Sequence, residues 1–262
     1  MLEINKLYNM DAIDFLKSID ENSVDLIVTS PPYNCGIEYD VCEDNMEWKE
    51  YLQWCESWFK ECYRILKDDG RMCVNHYINF HLKGGDSQFP LMDFRNIQEK
   101  IGFGVHKLII WEDRTMSRMT AWGSWKSASA PNIQTPYEGI LISYKNQWKK
   151  MNKGESTISR DMFLESVIGI WKLKPDTKSL TKASFPVELP ERCIELLTYK
   201  NELVVDPFIG SGSTAIAAIK TNRNFIGCDL SQNYINIANQ RIDDFKKDSK
   251  NKELYKSFFE NK

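Results

Sequence analysis

The spacing of apolar positions changes several times along the chain, and each change marks a predicted element. Residues 24–29 (VDLIVT) form a short apolar run that is typical of a buried β-strand. From Trp48 to Leu66 the apolar and aromatic positions repeat at helical spacing, and the KDDG that follows is expected to break this helix. Strands are also predicted at 71–75 and 105–112, with a helix between them at about 88–100.

The last third of the chain has the most regular pattern. It predicts a helix at 186–199, a strand at 203–206, the loop PFIGSGS, a helix to about residue 220, a strand at 224–229 and a helix at 231–245 with a serine N-cap. A strand, a glycine loop, a helix and a second strand that ends in an acid are typical of a nucleotide-binding half of an α/β fold.

The middle of the chain lacks a sustained period. Residues 113–136 contain many small polar residues and two tryptophans, which predicts a long loop, and loops of this length inside a domain are usually functional. A strand resumes at 138–145, and a basic, polar stretch follows at 146–160.

Length and composition indicate a globular protein. A chain of 262 residues suits one sizeable domain with an insertion, or two small domains, and 42% of its residues are hydrophobic and 27% charged. No stretch approaches the roughly 18 to 20 continuous apolar residues of a membrane span, and the first residues do not resemble a signal peptide. We therefore expect a cytoplasmic protein that has no membrane partner.

The seven cysteines do not form a metal-binding pattern. They include no Cys-x-x-Cys pair, and the histidines do not cluster near them. Free buried thiols are expected rather than disulfides or a zinc site, and no metal is predicted.

The charge of the chain is unevenly distributed. The formal net charge of −3 argues by itself against a nucleic-acid-binding protein. Residues 83–178, however, contain fifteen Lys and Arg against ten Asp and Glu, so the middle is basic and the remainder acidic. A solvated loop surface and a nucleic-acid-binding surface both fit such an excess.

Ser30, Pro31, Pro32 and Tyr33 directly follow the strand predicted at 24–29. Two successive prolines remove two backbone donors and stiffen the chain, which predicts a rigid turn. Open α/β sheets bind their ligands at the carboxyl ends of strands, where this turn would lie. It is either a simple strand terminator or, given its hydroxyl and aromatic side chains, part of a ligand site.

The glycine loop and its flanking strands indicate the kind of nucleotide ligand. Gly210 and Gly212 permit a tight turn, and Asp229 ends the second strand at the place where ribose hydroxyls are held. The loop lacks the Gly-x-Gly-x-x-Gly pattern of dinucleotide folds. Asp206 would repel a pyrophosphate but could pair with an ammonium group or hold a sulfonium-bearing amino acid. The pattern favours S-adenosyl-L-methionine over NAD.

Several segments together resemble the motifs of bacterial DNA amino-methyltransferases. DPFIGSGSTAIAA and FIGCDLSQNYINIANQRI resemble their cofactor motifs, and TSPPYN resembles their catalytic motif. MDAIDFLKSIDENSVDLIV and ASFPVELPERCI resemble two further segments of the family. The catalytic motif precedes the cofactor loop, which resembles the circularly permuted β class, of the Ser-Pro-Pro-Tyr type. The resemblance covers about residues 7–80 and 184–245.

This resemblance implies a fold and a division of the chain. The fold would be a Rossmann-like α/β methyltransferase fold with a mixed, mostly parallel sheet, a circularly permuted order and an inserted target-recognition region. Residues 1–112 would form the catalytic half, 113–178 the DNA target-recognition region, and 179–262 the S-adenosyl-L-methionine-binding half with the C-terminal helix.

The resemblance also implies roles for cofactor-binding residues. Asp11 would contact the adenine amino group, Phe185 would pack beside it, Asp229 would hold the ribose, and Asp206 with the glycine loop would hold the methionine part. The implied set is Asp11, Phe185, Asp206, Phe208, Gly210, Ser211, Gly212, Ser213 and Asp229. Met10 and Ser213 depart from the glycine and threonine that are usual in the family, and neither change removes a needed polar group.

The implied reaction transfers a methyl group to the exocyclic amino group of a base that is flipped out of the duplex. This amino group is a poor nucleophile because its lone pair is delocalised into the ring. Ser30 Oγ and the Pro31 carbonyl would hold it in the attacking geometry, and the two prolines would fix both acceptors. Tyr33 would stack on the base.

The target base and the reaction class have alternatives. The family tends to use Ser-Pro-Pro-Tyr for cytosine N4 and Asp-Pro-Pro-Tyr for adenine N6, so cytosine N4 is favoured and adenine N6 is the alternative. An RNA or protein amide methyltransferase, with a related Asn-Pro-Pro-Tyr turn, fits the permuted order and the basic middle less well. A non-catalytic nucleic-acid-binding module fits the intact Asp206, glycine loop and Ser30 less well.

Double-stranded DNA is the implied partner. The candidate contacts combine cations with aromatic side chains, as contacts to backbone and bases require, and they are Arg114, Arg118, Trp122, Trp125, Lys126, Lys149 and Lys150. The sequence does not give a recognition site, and it leaves open a cognate restriction endonuclease and a homodimer.

Overall fold

The structure is a computed structural model that describes residues 2–41, 44–81, 87–112, 122–174, 181 and 184–248. Its strands are β1 (Lys6–Asn9), β2 (Val24–Thr29), β3 (Leu66–Tyr77), β4 (Phe80–His81), β5 (Ser87–Gln88), β6 (Gly104–Glu112), β7 (Tyr137–Tyr144), β8 (Ile170–Trp171), β9 (Leu203–Asp206) and β10 (Asn224–Asp229). Its helices are α1 (Ala12–Lys17), α2 (Trp48–Ile65), α3 (Pro90–Ile101), α4 (Arg160–Ser166), α5 (Glu188–Leu197), α6 (Ser213–Lys220) and α7 (Gln232–Lys247).

The main sheet is mixed and mostly parallel, as predicted. Its strands lie in the order β1-β10-β9-β2-β3-β7-β6-β8. The pairs from β1 to β3 are all parallel, whereas β7 pairs antiparallel with both β3 and β6, and β8 pairs parallel with β6. Because β2, β9 and β10 are parallel, their carboxyl ends meet at one edge of the sheet.

Helices cover both faces of the sheet. One hydrophobic core contains residues of α5, α6 and α7, and the other contains residues of α1, α2 and α3. Strand β2 supplies both cores, with Leu26 and Val28 on one face and Ile27 on the other. This burial on both faces explains why β2 reads as a continuous apolar run rather than an alternating one.

Most of the predicted elements are confirmed. The strands at 24–29, 105–112, 203–206 and 224–229 agree with β2, β6, β9 and β10, and the predicted serine N-cap of α7 accepts a hydrogen bond from Tyr234 N at 3.1 Å. The short elements β1, α1, α4 and β8 were not predicted from the pattern.

The prediction for KDDG is wrong in one respect. Helix α2 ends at Ile65, but β3 begins immediately at Leu66, so residues 67–70 lie inside a strand rather than in a break before it. The pairing moves from Val24 with Leu66 to Leu26 with Arg71, so the four residues form a bulge. Their polar side chains fit this irregularity.

Part of the predicted recognition segment, 113–178, belongs to the main sheet. Strand β7 lies within it, yet it pairs with β3 and β6 in the interior of the sheet. Residues 137–144 are therefore part of the sheet, and a recognition role for the rest of the segment stays a prediction. Residues 122–136 contain one isolated bridge, between Gly123 and Pro131, and otherwise have the irregular structure that was predicted for this loop.

The six cysteines among the described residues are free thiols, and five of them are buried. Within the same residues, every helix is too short or too polar to span a bilayer.

Candidate active site

One cavity of about 260 Å³ lies at the carboxyl ends of β2, β9 and β10. The turn after β2 and the glycine loop after β9 both line it, although they are far apart in the sequence. The predicted site residues that line the cavity are Asp11, Ser30, Pro31, Pro32, Phe185, Phe208, Gly210, Ser211, Ser213 and Asp229. Three further predicted site residues do not line the cavity, and they are Tyr33, Asp206 and Gly212.

The glycine loop has the backbone conformation that its sequence predicts. Gly210 and Gly212 have φ angles of 50° and 84°, in the left-handed region that favours glycine. A Cβ atom on Gly212 would also lie 3.0 Å from the Cβ of Ala238 in α7. Arg241 fixes the loop from the same helix, since its Nη1 donates to the Ser211 carbonyl at 2.7 Å and to Ser211 Oγ at 2.6 Å.

Asp206 lies beneath the glycine loop and is only 1% exposed. Its Oδ1 accepts from Thr29 Oγ1 at 2.6 Å and from Phe208 N at 3.0 Å, and its Oδ2 accepts from Thr214 Oγ1 at 2.6 Å. Burial raises the pKa of Asp206 to about 6, although the hydrogen bonds from Thr214 and Thr29 oppose this shift. In this placement the carboxylate ties the glycine loop to β2, and its predicted contact to the methionine part of the cofactor stays a prediction.

Asp229 and Asp11 place carboxylates at the cavity wall. Asp229 accepts from Gly210 N at 3.0 Å and from Ser231 N at 2.9 Å, so it positions the loop while facing the cavity. Burial raises the pKa of Asp229 above its usual value. Asp11 is the N-cap of α1 and accepts through Oδ1 from Ile13 N at 2.8 Å. Both carboxylates keep further acceptor capacity for a ligand.

Aromatic side chains form an apolar part of the wall. The ring of Phe208 lies 5.5 Å from that of Trp54 and 5.4 Å from that of Trp58, measured between centroids. Phe185 is 8% exposed and lines the cavity with Phe208 and Trp54. These rings provide a flat surface for a heteroaromatic ligand.

The Ser-Pro-Pro-Tyr turn is held by side chains of β3, β7 and α2. Ser30 Oγ donates to Tyr33 Oη at 2.9 Å, and Tyr33 Oη donates to Glu138 Oε2 at 2.7 Å. From α2, Tyr51 Oη donates to the Pro32 carbonyl at 2.7 Å. The turn is therefore a fixed element of the site and not merely the end of a strand.

Tyr33 does not have the exposure that the stacking prediction requires. It is 2% exposed, and its ring centroid lies 4.3 Å from that of His76 and 4.7 Å from that of Tyr77. Because its ring is packed against these residues, it has no face open to a base in this structure.

Sequence reasoning missed three polar side chains around the turn, which are Asn75, Glu138 and Asp44. Asn75 Nδ2 donates to Tyr33 Oη at 2.9 Å and also to Glu138 Oε2. Asp44 accepts from the backbone amides of Asn34 at 2.6 Å and Cys35 at 2.9 Å, and so fixes the chain after the turn. The one sequence signal for Glu138 is a charged residue at the start of a predicted buried strand.

Trp122, Trp125 and Lys126 form an exposed patch of the predicted DNA-contacting loop. The two tryptophans are 44% and 64% exposed, their rings lie 4.6 Å apart, and Lys126 Nζ lies 5.5 Å from the Trp125 ring centroid. Arg114 and Arg118 lie outside the described residues. Lys149 is exposed.

The prediction that Lys150 contacts DNA does not agree with its placement. Its side chain is 8% exposed, and its Nζ lies 2.9 Å from Glu202 Oε2 and 3.5 Å from Asp25 Oδ1. These acids lie at the amino ends of β9 and β2, at the sheet edge opposite Ser30. Lys150 therefore pairs with the buried Asp25 and the half-buried Glu202 instead of presenting a charge to a phosphate.

Comparison with known proteins agrees with this geometry. Residues 24–240 match the model of a DNA methylase family whose members are the N6/N4 methyltransferases. The Type II methyltransferase M.MjaVI of Methanocaldococcus jannaschii is 42% identical over 177 residues, which cover 66% of this chain and 90% of the relative. The Type II methyltransferase M.BglII of Bacillus subtilis is 30% identical over 259 residues, which cover 90% of this chain and 68% of the relative.

A solved structure has the same fold. The putative DNA modification methylase TTHA0409 of Thermus thermophilus, in complex with S-adenosyl-L-methionine, has a TM-score of 0.71 and 28% sequence identity, covering 90% of this chain and 92% of that chain. The family model spans both the Ser-Pro-Pro-Tyr turn and the glycine loop, and the chain therefore belongs to the N6/N4 DNA methylase family, the DNA amino-methyltransferases.

Proposed function

We propose that this protein transfers a methyl group from S-adenosyl-L-methionine to the exocyclic amino group of a base flipped out of double-stranded DNA, with cytosine N4 as the favoured target. The observation that carries this proposal is the shared cavity, because its walls include both Ser30–Pro32 and the glycine loop. A methyl donor on one wall and an amino group on the other would be within reach of each other.

The residues of the cavity fit S-adenosyl-L-methionine. Carboxylates of Asp11 and Asp229 can accept from an amino group and from ribose hydroxyls, and Phe185 and Phe208 offer a surface for the adenine ring. The space beside Gly210 is open, since an added Cβ there would meet only Thr181 Oγ1, at 3.7 Å. The acidic wall also favours a cationic ligand over a phosphate. When bound, the cofactor supplies an electrophilic methyl group on a sulfonium.

Ser30 and Pro31 are the proposed acceptors for the target amino group. Ser30 Oγ and the Pro31 carbonyl lie on a turn that is rigid before any ligand enters, so they can hold the amino nitrogen without reorganisation. The Ser-Pro-Pro-Tyr sequence is the reason to favour cytosine N4, and adenine N6 is the alternative.

The DNA surface is proposed to include the patch of Trp122, Trp125 and Lys126. Its exposed aromatic rings and cation suit contact with bases and phosphates. The Type II names of the relatives give a reason to look for a restriction endonuclease that acts at the same site.

The proposal is tested by methyl transfer from tritiated S-adenosyl-L-methionine to duplex DNA of mixed sequence, followed by digestion to nucleosides. We expect label in N4-methylcytosine. Label in N6-methyladenine would support the alternative base. Transfer to RNA or protein but not to duplex DNA, or cofactor binding without transfer to any acceptor, would contradict the proposal.

A further inference from the structure

A chain of hydrogen bonds leads from the cavity into the core of the protein. It begins at Ser30 Oγ, which lines the cavity, passes through Tyr33 Oη at 2.9 Å, and ends at Glu138 Oε2 a further 2.7 Å away. Tyr33 and Glu138 are 2% and 7% exposed, so the last two groups are shielded from solvent.

The direction of each proton in this chain follows from the chemistry of its members. An ionised carboxylate can only accept, so the Tyr33 hydroxyl must donate to Glu138. Tyr33 has a single hydroxyl proton, and it therefore accepts from Ser30. Asn75 Nδ2 also donates to Tyr33 Oη and to Glu138 Oε2, which reinforces the same polarity.

This polarity determines what Ser30 presents to the cavity. A serine hydroxyl has one proton and two lone pairs, and here the proton points toward Tyr33. Ser30 Oγ therefore faces the cavity as an acceptor. A nucleophilic amino group needs an acceptor at that position, whereas a free serine could rotate and offer its proton instead.

We propose that Glu138 is the positioning residue that holds Ser30 as an acceptor and the group that finally receives the proton released by methyl transfer. This inference rests on the proposed function and extends it to a residue that does not touch the base.

The proton balance of the step is simple. When the amino nitrogen forms its bond to the methyl carbon and the carbon–sulfur bond breaks, the base carries one surplus proton and the sulfur becomes neutral. The nitrogen gives this proton to Ser30 Oγ, Ser30 gives its own proton to Tyr33 Oη, and Tyr33 gives its proton to the Glu138 carboxylate. The positive charge on the base and the negative charge on Glu138 both disappear. After the product leaves, the proton returns from Glu138 through Tyr33 and Ser30 to water in the cavity, which restores the carboxylate.

The neighbouring histidine is a poorer terminus than Glu138. His76 packs against the ring of Tyr33, and its Nε2 lies 3.3 Å from Tyr51 Oη, so it is outside the chain from Ser30. Burial also lowers the pKa of His76 to about 3. Burial first, and Glu138 second, raise the pKa of Tyr33 well above its usual range, so Tyr33 remains a neutral carrier between its two partners.

The inference is tested with the full-length chain and the variants Glu138→Gln, Tyr33→Phe and the double variant. Gln keeps the shape and an oxygen that can accept from Tyr33, so the orientation is preserved, but it cannot take up a proton. We expect single-turnover methyl transfer by Glu138→Gln to fall about a hundredfold, at the lower end of general acid–base contributions. The dissociation constants for S-adenosyl-L-methionine and DNA should remain those of the wild type.

Glu191→Gln is the matched control. Glu191 is 8% exposed, accepts from Lys220 Nζ at 2.6 Å and does not line the cavity. Its variant should transfer methyl at the wild-type rate. If Glu138→Gln does not fold, Tyr33→Phe still breaks the same chain one bond earlier and should reproduce the loss of rate.

The double variant decides whether the two groups act together. If Tyr33 and Glu138 belong to one relay, the double variant is no slower than the slower single variant. A wild-type rate in Glu138→Gln, a rate loss matched by weaker DNA or cofactor binding, or multiplied losses in the double variant would overturn the inference. The wild-type reaction in the same assay reports separately on the proposed function, since no transfer there would contradict that function itself.

Discussion

The two edges of the sheet bury their acids in different ways. At the amino edge, Asp25 is 3% exposed and is neutralised by Lys67 at 2.8 Å and by Lys150 at 3.5 Å. At the carboxyl edge, Asp206 is 1% exposed and is held by two threonine hydroxyls and a backbone amide, which are all uncharged. The amino edge is therefore electrically balanced, whereas the carboxyl edge keeps negative charge beside the cavity.

This difference indicates that the acids of the amino edge serve stability, whereas those of the carboxyl edge serve function. A buried acid with a cationic partner is ordinary structural chemistry, while a buried acid held by neutral donors costs stability and is typical of functional sites. At the carboxyl edge, the unfavourable free energy of burying Asp206 without a cationic partner falls beside the cavity in which a sulfonium-bearing ligand is proposed to bind. The ion pairs of the amino edge hold β2 and β9 together and leave the cavity unaffected.

The first and largest expected effect compares Asp25→Asn with Asp206→Asn. Asp25 accepts from Lys67 Nζ at 2.8 Å and from Leu203 N at 3.0 Å, and a hydrogen bond to a charged group contributes about 1.5 to 3 kcal/mol, so Asp25→Asn should lower the free energy of unfolding by about 3 kcal/mol. Lys150 keeps its nearer partner, Glu202, at 2.9 Å. The affinity of Asp25→Asn for S-adenosyl-L-methionine should be unchanged. Urea unfolding and calorimetric titration measure the two quantities.

Asp206→Asn should lower the affinity for S-adenosyl-L-methionine more than it lowers the free energy of unfolding. The variant weakens the tie between the glycine loop and β2, so we expect cofactor affinity to fall about tenfold or more, which corresponds to one hydrogen bond to a charged group. Its loss of stability should be the smaller of the two. Equal losses of stability and affinity in both variants would remove the distinction between the edges.

The second prediction concerns pH. The pKa of Asp206 is raised from 3.8 to about 6 in the folded protein, so between these values the folded state binds more protons than the unfolded state. This contribution to stability is fully present below about pH 4 and is lost as the pH rises through about 6. The expected loss is about 2 to 3 kcal/mol.

Other acids titrate in the same pH range, but they are present in both proteins. A comparison of the wild type with Asp206→Asn therefore isolates the contribution of Asp206 to the pH dependence of stability. The difference in unfolding free energy between wild type and variant, followed by urea unfolding from about pH 4 to about pH 7, should move in favour of the variant as the pH rises. A difference that is constant with pH would show that Asp206 is not the titrating group.

The third and smallest effect distinguishes two adjacent lysines. Lys149 is exposed, so Lys149→Glu should weaken DNA binding and reduce the slope of log K against log salt by about one, if it neutralises one phosphate. Lys150→Met should lower stability through Glu202 and Asp25 while leaving the salt slope unchanged. Filter binding at several salt concentrations tests both, and a reduced slope in Lys150→Met would contradict the structural role of this residue.

The sequence predicts the fold and the cavity well because their signals are local. The apolar run of β2, the glycines of the loop and the two prolines each restrict the backbone where they stand. Parallel strands then bring the carboxyl ends of β2, β9 and β10 to one edge without further information. Ser30 and Gly210 could therefore each be placed at the carboxyl end of a strand from the local pattern, and the resemblance to DNA amino-methyltransferases assigned them to the same site.

The roles of Tyr33, Glu138 and Lys150 could not be predicted in this way. Glu138 is 105 residues from Tyr33, and the two meet only because β7 pairs with β3 beside the turn. Lys150 belongs to a basic stretch, and its burial depends on acids contributed by β2 and by the residue before β9. Local composition indicates charge, but only the tertiary fold shows whether that charge is exposed.

The most direct test of the account is single-turnover methyl transfer by Ser30→Ala at saturating cofactor and DNA. If Ser30 Oγ holds the target amino group, its loss should matter chiefly in the transition state, and the rate should fall about 10² to 10³-fold, by analogy with a lost oxyanion-hole donor. Dissociation constants for S-adenosyl-L-methionine and DNA should change little. A Ser30→Ala protein that transfers methyl at the wild-type rate would show that Pro31 and the rest of the turn suffice, and would contradict the role assigned to Ser30.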